Sequence, residues 1–314
     1  MSKTFIIFVF LLTSLLYAIY SYFVLNYKMY YMDAEYPMWL EVKQIVNTKT
    51  DSKVDLIVLG DSRAKAGFIP NQLPIKSINL SLGGATPIEG YYTLKKYLEN
   101  NPAPKKLVLS YTAIHLGNKT YYWSRTAPFG FLSDNEYQEV EALADKFKEE
   151  PIMKVGRSYI DFKFPKAYGS SFKNGIIGRR WQENKIVFLE CLLAHGHHYF
   201  GTAQFSNALN NESKKMRFVS SALHNYYLQR LLKLANMKHI ELYFYIMPYN
   251  EASFKHTNKQ YINDYANNIK NLSLKYNIKM CDKPFYMSNH YFGDSSHLYE
   301  GAKKSTSLIF ECIQ

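Results

Sequence analysis

A serine, an aspartate and a histidine stand near opposite ends of this chain, in settings that suit nucleophilic catalysis. Ser62 ends a Gly-Asp-Ser tripeptide after the apolar run 54–59, and Asp294 and His297 are three residues apart near the carboxyl end. A serine hydroxyl attacks well when an imidazole removes its proton and a carboxylate orients that imidazole. These residues predict a triad in which Ser62 attacks, His297 takes the proton and Asp294 orients His297.

The tripeptide alone is weak evidence, because Gly-Asp-Ser occurs twice, at 60–62 and at 293–295. Each copy also has a structural interpretation. Asp61 or Ser62 would cap the helix that follows, and Asp294 or Ser295 would cap the final helix. Context favours catalysis, because run 54–59 is typical of a buried parallel strand and α/β enzymes bind ligands at the carboxyl ends of such strands.

The chain alternates strand-like and helix-like patterns. The predicted strands are 54–59, 75–80, 105–111, 240–247 and 278–281, and the predicted helices include 38–46, 86–100, 135–150, 216–236, 255–276 and 299–312. This alternation predicts an α/β fold with a parallel sheet and helices on both faces. Region 113–215, about 100 residues, is too long for a simple connection. It is predicted to be an insertion or cap that sets substrate choice, or else a structural elaboration without a ligand role.

The amino terminus carries an apolar segment, because residues 4–25 contain no charged side chain. About 20 apolar residues span a bilayer, and Lys3 before the segment favours a cytoplasmic amino end. A cleaved signal peptide is the alternative, but the run is long and no Ala-x-Ala site follows. We therefore expect a transmembrane anchor over 1–27, a connector over 28–50, and a domain over 51–314 that is periplasmic or extracellular.

Composition restricts the partners. With 314 residues, 47% of them hydrophobic, the chain is long enough to bury a substantial core. Its formal net charge of +12 suits a polyanion: nucleic acid, anionic lipid or an envelope polymer. The predicted anchor argues against nucleic acid, and scattered lysines that only keep the surface soluble are the alternative explanation.

The remaining metal- and redox-type residues indicate no cofactor. Cys191, Cys281 and Cys312 have no Cys-x-x-Cys spacing, so they permit one disulfide with a free thiol, or none. The histidine cluster within 194–198 has Glu190 as its nearest carboxylate, and such a stretch is more typical of a loop than of a metal site. We expect neither a metal nor another cofactor.

The two chemical segments, together with the glycines in Ile78-Asn79-Leu80-Ser81-Leu82-Gly83-Gly84, resemble the SGNH (GDSL-type) hydrolase superfamily. The resemblance covers 54–112 and 216–310. It implies a three-layer α/β/α sandwich of flavodoxin-like type. It also implies that the triad residues are Ser62, Asp294 and His297, and that the oxyanion hole uses the amides of Ser62 and Gly84, with Gly83 as the near alternative.

The sequence departs from the family after the third strand, where a Gly-x-Asn-Asp block normally supplies a second oxyanion donor. Here Thr112-Ala113-Ile114-His115-Leu116-Gly117-Asn118 follows, in which Asn118 comes late and His115 is a conceivable substitute. Loss of one such donor typically costs about 10²- to 10³-fold in turnover. The oxyanion hole is therefore rebuilt from other groups, or the protein is a weak or non-hydrolytic member.

A narrower resemblance rests on Arg63, directly after the serine in Gly-Asp-Ser-Arg-Ala-Lys-Ala-Gly-Phe. It resembles a membrane-anchored subset that transfers acyl groups onto cell-envelope polymers alongside a multi-spanning membrane O-acyltransferase. Trp123 and Arg125, after two tyrosines, suit a sugar face and an anionic group. His115 and Asn118 complete the candidate substrate-binding residues.

The sequence thus predicts serine-dependent O-acyl (in particular acetyl) transfer to an envelope polysaccharide, or ester hydrolysis on one. The acylated or acyl-accepting glycan and the multi-spanning O-acyltransferase are the expected partners, with the membrane bound through the amino-terminal helix. The alternative is a non-catalytic accessory protein that binds glycan or serves as a scaffold for the acyltransferase.

Overall fold

The computed structural model describes residues 2–26, 33–117, 125–126, 129–149, 173, 175, 177–281 and 284–314. The chain divides into two compact units, one of Met1–Pro37 with Val155–Phe188 and the other of Met38–Lys154 with Leu189–Gln314. The first unit contains helix α1, Lys3–Asn26. Its segment Lys3–Tyr22 is long and apolar enough to cross a membrane, a property that signal sequences share.

The second unit is built on a five-stranded parallel sheet. Its strands are β1 (Leu56–Gly60), β2 (Ser77–Asn79), β3 (Lys106–Ser110), β4 (Glu241–Phe244) and β6 (Lys279–Met280), in the order β2-β1-β3-β4-β6. Two short strands, β5 (Tyr249–Asn250) and β7 (Tyr286–Met287), form a separate parallel pair. The predicted α/β fold with a parallel sheet is confirmed.

Helices follow the strands along the chain. They are α2 (Tyr36–Asn47), α3 (Ser62–Gly67), α4 (Pro87–Asn100), α5 (Ala113–Gly117), α6 (Asp134–Lys146), α7 (Arg180–Leu193), α8 (Ala222–Met237), α9 (Glu251–His256), α10 (Lys259–Tyr276) and α11 (Gly301–Ile313). Helices α4 and α8 pack together, and α11 packs on α3.

Both faces of the central strand β1 are buried, which explains its continuous apolar sequence. Leu56 and Val58 belong to one core cluster with Ile309 of α11. Ile57 and Leu59, which alternate with them along the strand, are equally buried. Successive side chains of a strand point to opposite faces, so each face of the sheet buries its own set. The end of β1, where Ser62 follows, is consequently held rigidly.

Helix α2 belongs to this core although it lies in the predicted connector 28–50. Trp39 and Val42 are fully or almost fully buried, and Trp39 makes edge-to-face contacts with Phe129 and Phe131. The carboxylate of Glu41 also lies 3.6 Å from the ammonium of Lys65 in α3, and both side chains are completely buried. Helix α2 is therefore attached to the helix that begins at Ser62.

Two sequence-based expectations change in detail, and a third stays untested. The helix predicted over 255–276 is two helices, because Thr257 is extended and Asn258 caps α10 with a bond from the Gln260 amide, 2.8 Å. Strand β4 is shorter than the predicted 240–247. The insertion predicted over 113–215 stays a prediction, since residues 118–124 and 150–172 within it lie outside the described part of the chain.

Of the two alternatives for the three cysteines, the structure shows one disulfide and one free thiol. Cys281, beside β6, forms a disulfide with Cys312 of α11, across a sequence separation of 31. Cys191 is a free, buried thiol whose pKa is raised to about 11 by burial. It is consequently protonated at neutral pH and unsuited to nucleophilic chemistry.

Candidate active site

The first Gly-Asp-Ser places Ser62 at the amino end of α3, directly after β1. The buried carboxylate of Asp61 accepts hydrogen bonds from the Arg63 amide at 2.9 Å and from the Thr112 amide at 2.7 Å. It also accepts one from the Thr112 hydroxyl, 2.8 Å. The capping role considered for Asp61 is thus confirmed, and the same carboxylate joins the ends of β1 and β3. These bonds fix the backbone on which Ser62 stands.

Ser62, His297 and Asp294 form a continuous chain of hydrogen-bonding atoms. The Oγ of Ser62 lies 2.8 Å from Nε2 of His297, and Nδ1 of His297 lies 2.7 Å from Oδ2 of Asp294. A carboxylate can only accept, so Nδ1 carries the proton and Nε2 is left to accept the proton of Ser62. The structure therefore brings together the three residues of the predicted triad.

The charge of Asp294 is maintained by its neighbours. Partial burial raises its pKa, but the His297 ring and the amides of Ser296 and His297 donate hydrogen bonds to the carboxylate and outweigh burial, so the net pKa is lowered. Both amides lie 2.7 Å from Oδ1. Asp294 is consequently ionised at neutral pH, as an orienting group must be.

The same bonds close a tight turn around Asp294. The Gly293 amide donates to the His297 carbonyl at 3.0 Å, so Asp294 and His297 stand on one short loop. The final helix α11 begins only at Gly301, after Glu300. The alternative in which Asp294 or Ser295 caps that helix is therefore wrong.

The loop that carries the glycines expected at the oxyanion hole is bonded to the end of β1. The Leu82 amide donates to the Gly60 carbonyl at 3.1 Å, which brings the loop after β2 to the end of β1. Gly84 has a φ of +70°, a conformation that favours glycine. Within the described residues, the amides of Ser62, Gly83 and Gly84 have no hydrogen-bond acceptor.

His115 is buried beside this loop, with Nδ1 2.9 Å from the Ala85 carbonyl. Burial lowers its pKa, so the ring is neutral, and the carbonyl requires the proton on Nδ1. In that tautomer Nε2 is an acceptor and does not donate to an oxyanion. Two other predicted substrate-binding residues, Asn118 and Trp123, lie outside the described part of the chain.

The two candidate substrate-binding arginines, Arg63 and Arg125, make different contacts. Arg63 is 6% exposed, and its guanidinium lies 2.8 Å from Glu212 and above the ring of Tyr249. Glu212 also accepts from the Ile114 amide at 3.0 Å, so this pair ties α3 to the segment after β3. Arg125 instead lies against Gly84, where any Cβ would overlap its guanidinium. Arg125 therefore brings positive charge to the candidate oxyanion hole.

Sequence reasoning missed one aromatic contact in the site. The ring of Phe200 stacks on the imidazole of His297 with centroids 4.6 Å apart and an interplanar angle of 29°. The two residues are far apart in sequence and belong to no shared motif, so no local signal could have identified the contact.

The histidine cluster before Phe200 is structural. Nε2 of His197 lies 3.1 Å from the Ala66 carbonyl, and burial lowers the pKa of both His197 and His198 to about 4. Among the residues that the structure describes, no three His, Cys, Asp or Glu side chains are grouped as a metal would need. The cluster instead packs under the serine helix.

Comparison of the sequence with protein-family models and with curated proteins finds no match.

Proposed function

We propose that this protein is a serine-dependent acyl-transfer enzyme of the cell envelope. It forms an acyl-enzyme on Ser62 and passes the acyl group, in particular acetyl, to a polysaccharide hydroxyl or to water. The observation that carries this proposal is the contact chain from Ser62 through His297 to Asp294, with separations of 2.8 and 2.7 Å.

The chemistry takes place in two balanced halves. Oγ of Ser62 attacks the carbonyl carbon of an acyl ester while Nε2 of His297 takes the hydroxyl proton. The resulting oxyanion is held by the amides of Ser62 and Gly84. When the tetrahedral intermediate collapses, the ester C–O bond breaks and the leaving alcohol takes the proton from His297.

The acyl-enzyme then meets its acceptor. A sugar hydroxyl or water attacks the acyl carbon, again giving its proton to His297, and the Ser62–acyl bond breaks with return of that proton to Ser62. A sugar acceptor gives an O-acylated glycan and water gives the free acid. The two outcomes share every step up to the acyl-enzyme.

Arg125 offsets the missing asparagine donor in this proposal. Its guanidinium lies against Gly84, and positive charge beside a developing oxyanion would lower the barrier. His115, in its neutral tautomer, does not supply that donor.

The fold and the chain ends support the same assignment. The parallel sheet, with Ser62 at the carboxyl end of a central strand, fits the three-layer sandwich of the SGNH superfamily. Helix α1 would anchor the protein with its amino end in the cytoplasm, and the Cys281–Cys312 disulfide suits an oxidising compartment outside it. The glycan and a multi-spanning O-acyltransferase, rather than nucleic acid, are the proposed partners.

A non-catalytic accessory role is the second candidate. The absence of the family asparagine and the acceptor tautomer of His115 favour it, because both weaken the oxyanion hole. In that role the protein binds glycan or serves as a scaffold for the acyltransferase, and Ser62 is dispensable.

The test is active-site labelling of the full chain in detergent with a fluorophosphonate, followed by intact mass. We expect one label per wild-type molecule and no measurable labelling of Ser62→Ala. His297→Ala should be slowed by about 10³-fold or more. Ser295→Ala removes the serine of the other Gly-Asp-Ser and should be labelled at the wild-type rate.

A folded wild-type protein that resists the reagent at every pH would contradict the proposed enzyme. It would favour the accessory role, in which a Ser62→Ala strain retains the cellular phenotype.

A further inference from the structure

The segment 197–206 lies along the loop that carries the Asp–His pair. The Ala203 amide donates to the Gly293 carbonyl at 3.2 Å, and the Ser206 amide donates to the Asn289 carbonyl at 3.1 Å. Gly201 packs so closely that a Cβ there would lie 2.6 Å from the Gly293 carbonyl oxygen and 2.9 Å from Cβ of Asp294. The two backbones are therefore in direct contact, and neither can shift without moving the other.

Phe200 extends from this segment onto His297. The two rings are 4.6 Å apart and inclined by 29°, an offset stack that covers one face of the imidazole. Phe200 also makes a T-shaped contact with His198, with ring centroids 5.2 Å apart and planes at 88°. The His198 amide in turn donates to the Lys65 carbonyl of α3 at 3.4 Å. Phe200 thus contacts both the imidazole of His297 and a residue that is bonded to the serine helix.

This contact acts on both orientation and charge. A stacked ring restricts rotation of the imidazole, and that rotation would break the bonds to Ser62 or Asp294. An aromatic face also attracts a cation, so it stabilises the imidazolium that forms when Ser62 attacks.

Titratable groups also surround the stack of Phe200 on His297. Asp294 contributes negative charge from its own turn. His198, behind Phe200, is neutral, because burial and the charges of Lys65, His197 and His297 lower its pKa to about 4. Lys65 lies beyond His198 and faces the buried carboxylate of Glu41. The face that Phe200 covers therefore has no competing cation in direct contact.

We propose that Phe200 is a positioning residue for His297. It holds the imidazole in the plane that meets Ser62 and Asp294 and stabilises the charged form of the ring. This role rests on the proposed function, because it concerns the same proton transfer. It adds a residue that lies on neither chemical motif.

The test compares Phe200→Leu, which removes the aromatic face, with Phe200→Trp, which keeps one. The labelling rate of the full chain in detergent is measured from pH 5 to 9 with a fluorophosphonate. For Phe200→Leu we expect a plateau about tenfold lower, because the ring is less well oriented. We also expect half-maximal labelling at a pH about half a unit lower, because the charged ring loses a partner. Phe200→Trp should restore the midpoint.

A matched control is Phe205→Leu in the same segment, where the exposed ring meets His290 rather than the site, 4.9 Å between centroids. It should leave both the plateau and the midpoint unchanged. A lower plateau without a midpoint shift in Phe200→Leu, or an equal effect of Phe205→Leu, would overturn the proposal, because either would indicate general loosening.

A second measurement separates this inference from the proposed function. Hydrogen–deuterium exchange at the imidazole C2 carbon of His297, followed by mass spectrometry across pH, reports ring protonation without any turnover. Phe200→Leu should exchange faster and titrate at lower pH than wild type. If wild type is never labelled, the proposed function fails, and an exchange profile unchanged by Phe200→Leu would still overturn the stacking role.

Discussion

The two Gly-Asp-Ser copies have the same sequence and stand in different surroundings. The glycine of each copy has the same structural role. A Cβ on Gly60 would overlap the Ser110 carbonyl of the neighbouring strand, and a Cβ on Gly293 would overlap the Gly201 carbonyl. In both places the missing side chain lets two backbones touch.

The aspartates and serines differ. Asp61 is fully buried and bonds to backbone amides at the end of a sheet, whereas the side chain of Asp294 is 35% exposed and bonds to an imidazole as well as to two amides of its own loop. Ser62 faces His297, while Ser295 has only the Ser296 hydroxyl, at 3.4 Å. The copy at the strand end thus places its serine against His297, whereas the copy on the loop places its aspartate there.

The largest expected effect is the difference between substitutions of the two aspartates: one should lower the labelling rate and the other the stability. Asp294→Asn should lower the labelling rate by about 10³- to 10⁴-fold, because the ring loses its charged partner, with little change in stability. Asp61→Asn should instead cost about 3 kcal/mol of unfolding free energy, because buried amides lose a charged acceptor. Labelling kinetics and denaturant unfolding of both variants measure this difference. Equal loss of labelling by two variants of equal stability would break the comparison.

Substitutions of the two glycines should differ less in their effects than substitutions of the two aspartates. Gly60→Ala must be accommodated inside the sheet, between Ser110 and Ala64, and should cost about 3 kcal/mol of unfolding free energy. Gly293→Ala meets another loop, which can yield, so we expect about 1 kcal/mol and a roughly tenfold slower labelling as Asp294 moves. We would measure thermal unfolding and labelling rates of the two variants to test this difference, with Ser295→Ala as the control for the loop. A larger stability loss for Gly293→Ala would contradict the assigned rigidity.

The smallest expected effect is the contribution of Asp294 to the pH dependence of the unfolding free energy. Because its folded pKa is lowered, the stability that it contributes is present above the unfolded value, about 3.9, and is lost as pH falls through the folded value. The carboxylate is partly exposed, so this contribution should stay below about 1 kcal/mol. Melting curves of wild type and Asp294→Asn should differ between pH 5 and 7 and converge as pH falls below about 3.9 toward the lowered folded value. A difference that grows in acid would have the wrong sign.

Local patterns carried much of the fold. The apolar run before Gly60 and the punctuated helices were sufficient to predict a parallel α/β sheet. The Ser62, Asp294 and His297 positions followed from two short segments, because each segment contains its own turn chemistry. The broken helix at Thr257 was missed, since its apolar periodicity continues through a residue whose backbone is extended.

Contacts between distant segments could not be predicted in this way. Nothing near Arg63 indicates that Glu212 lies beside it, and the prediction of a substrate contact treated that arginine as accessible. Phe200 is an ordinary aromatic residue in sequence, and contacts between distant segments, such as that of Gly201 with Gly293, bring it to His297. Such pairs arise from packing over long separations, which periodicity does not encode.

The disulfide has a consequence for the acid–base pair. Cys281 and Cys312 close a covalent ring that contains both Asp294 and His297 but not Ser62. A ring of about 30 residues removes unfolded-state entropy worth roughly 3–4 kcal/mol. A single proteolytic nick between these cysteines would therefore leave both Asp294 and His297 tethered to the sheet.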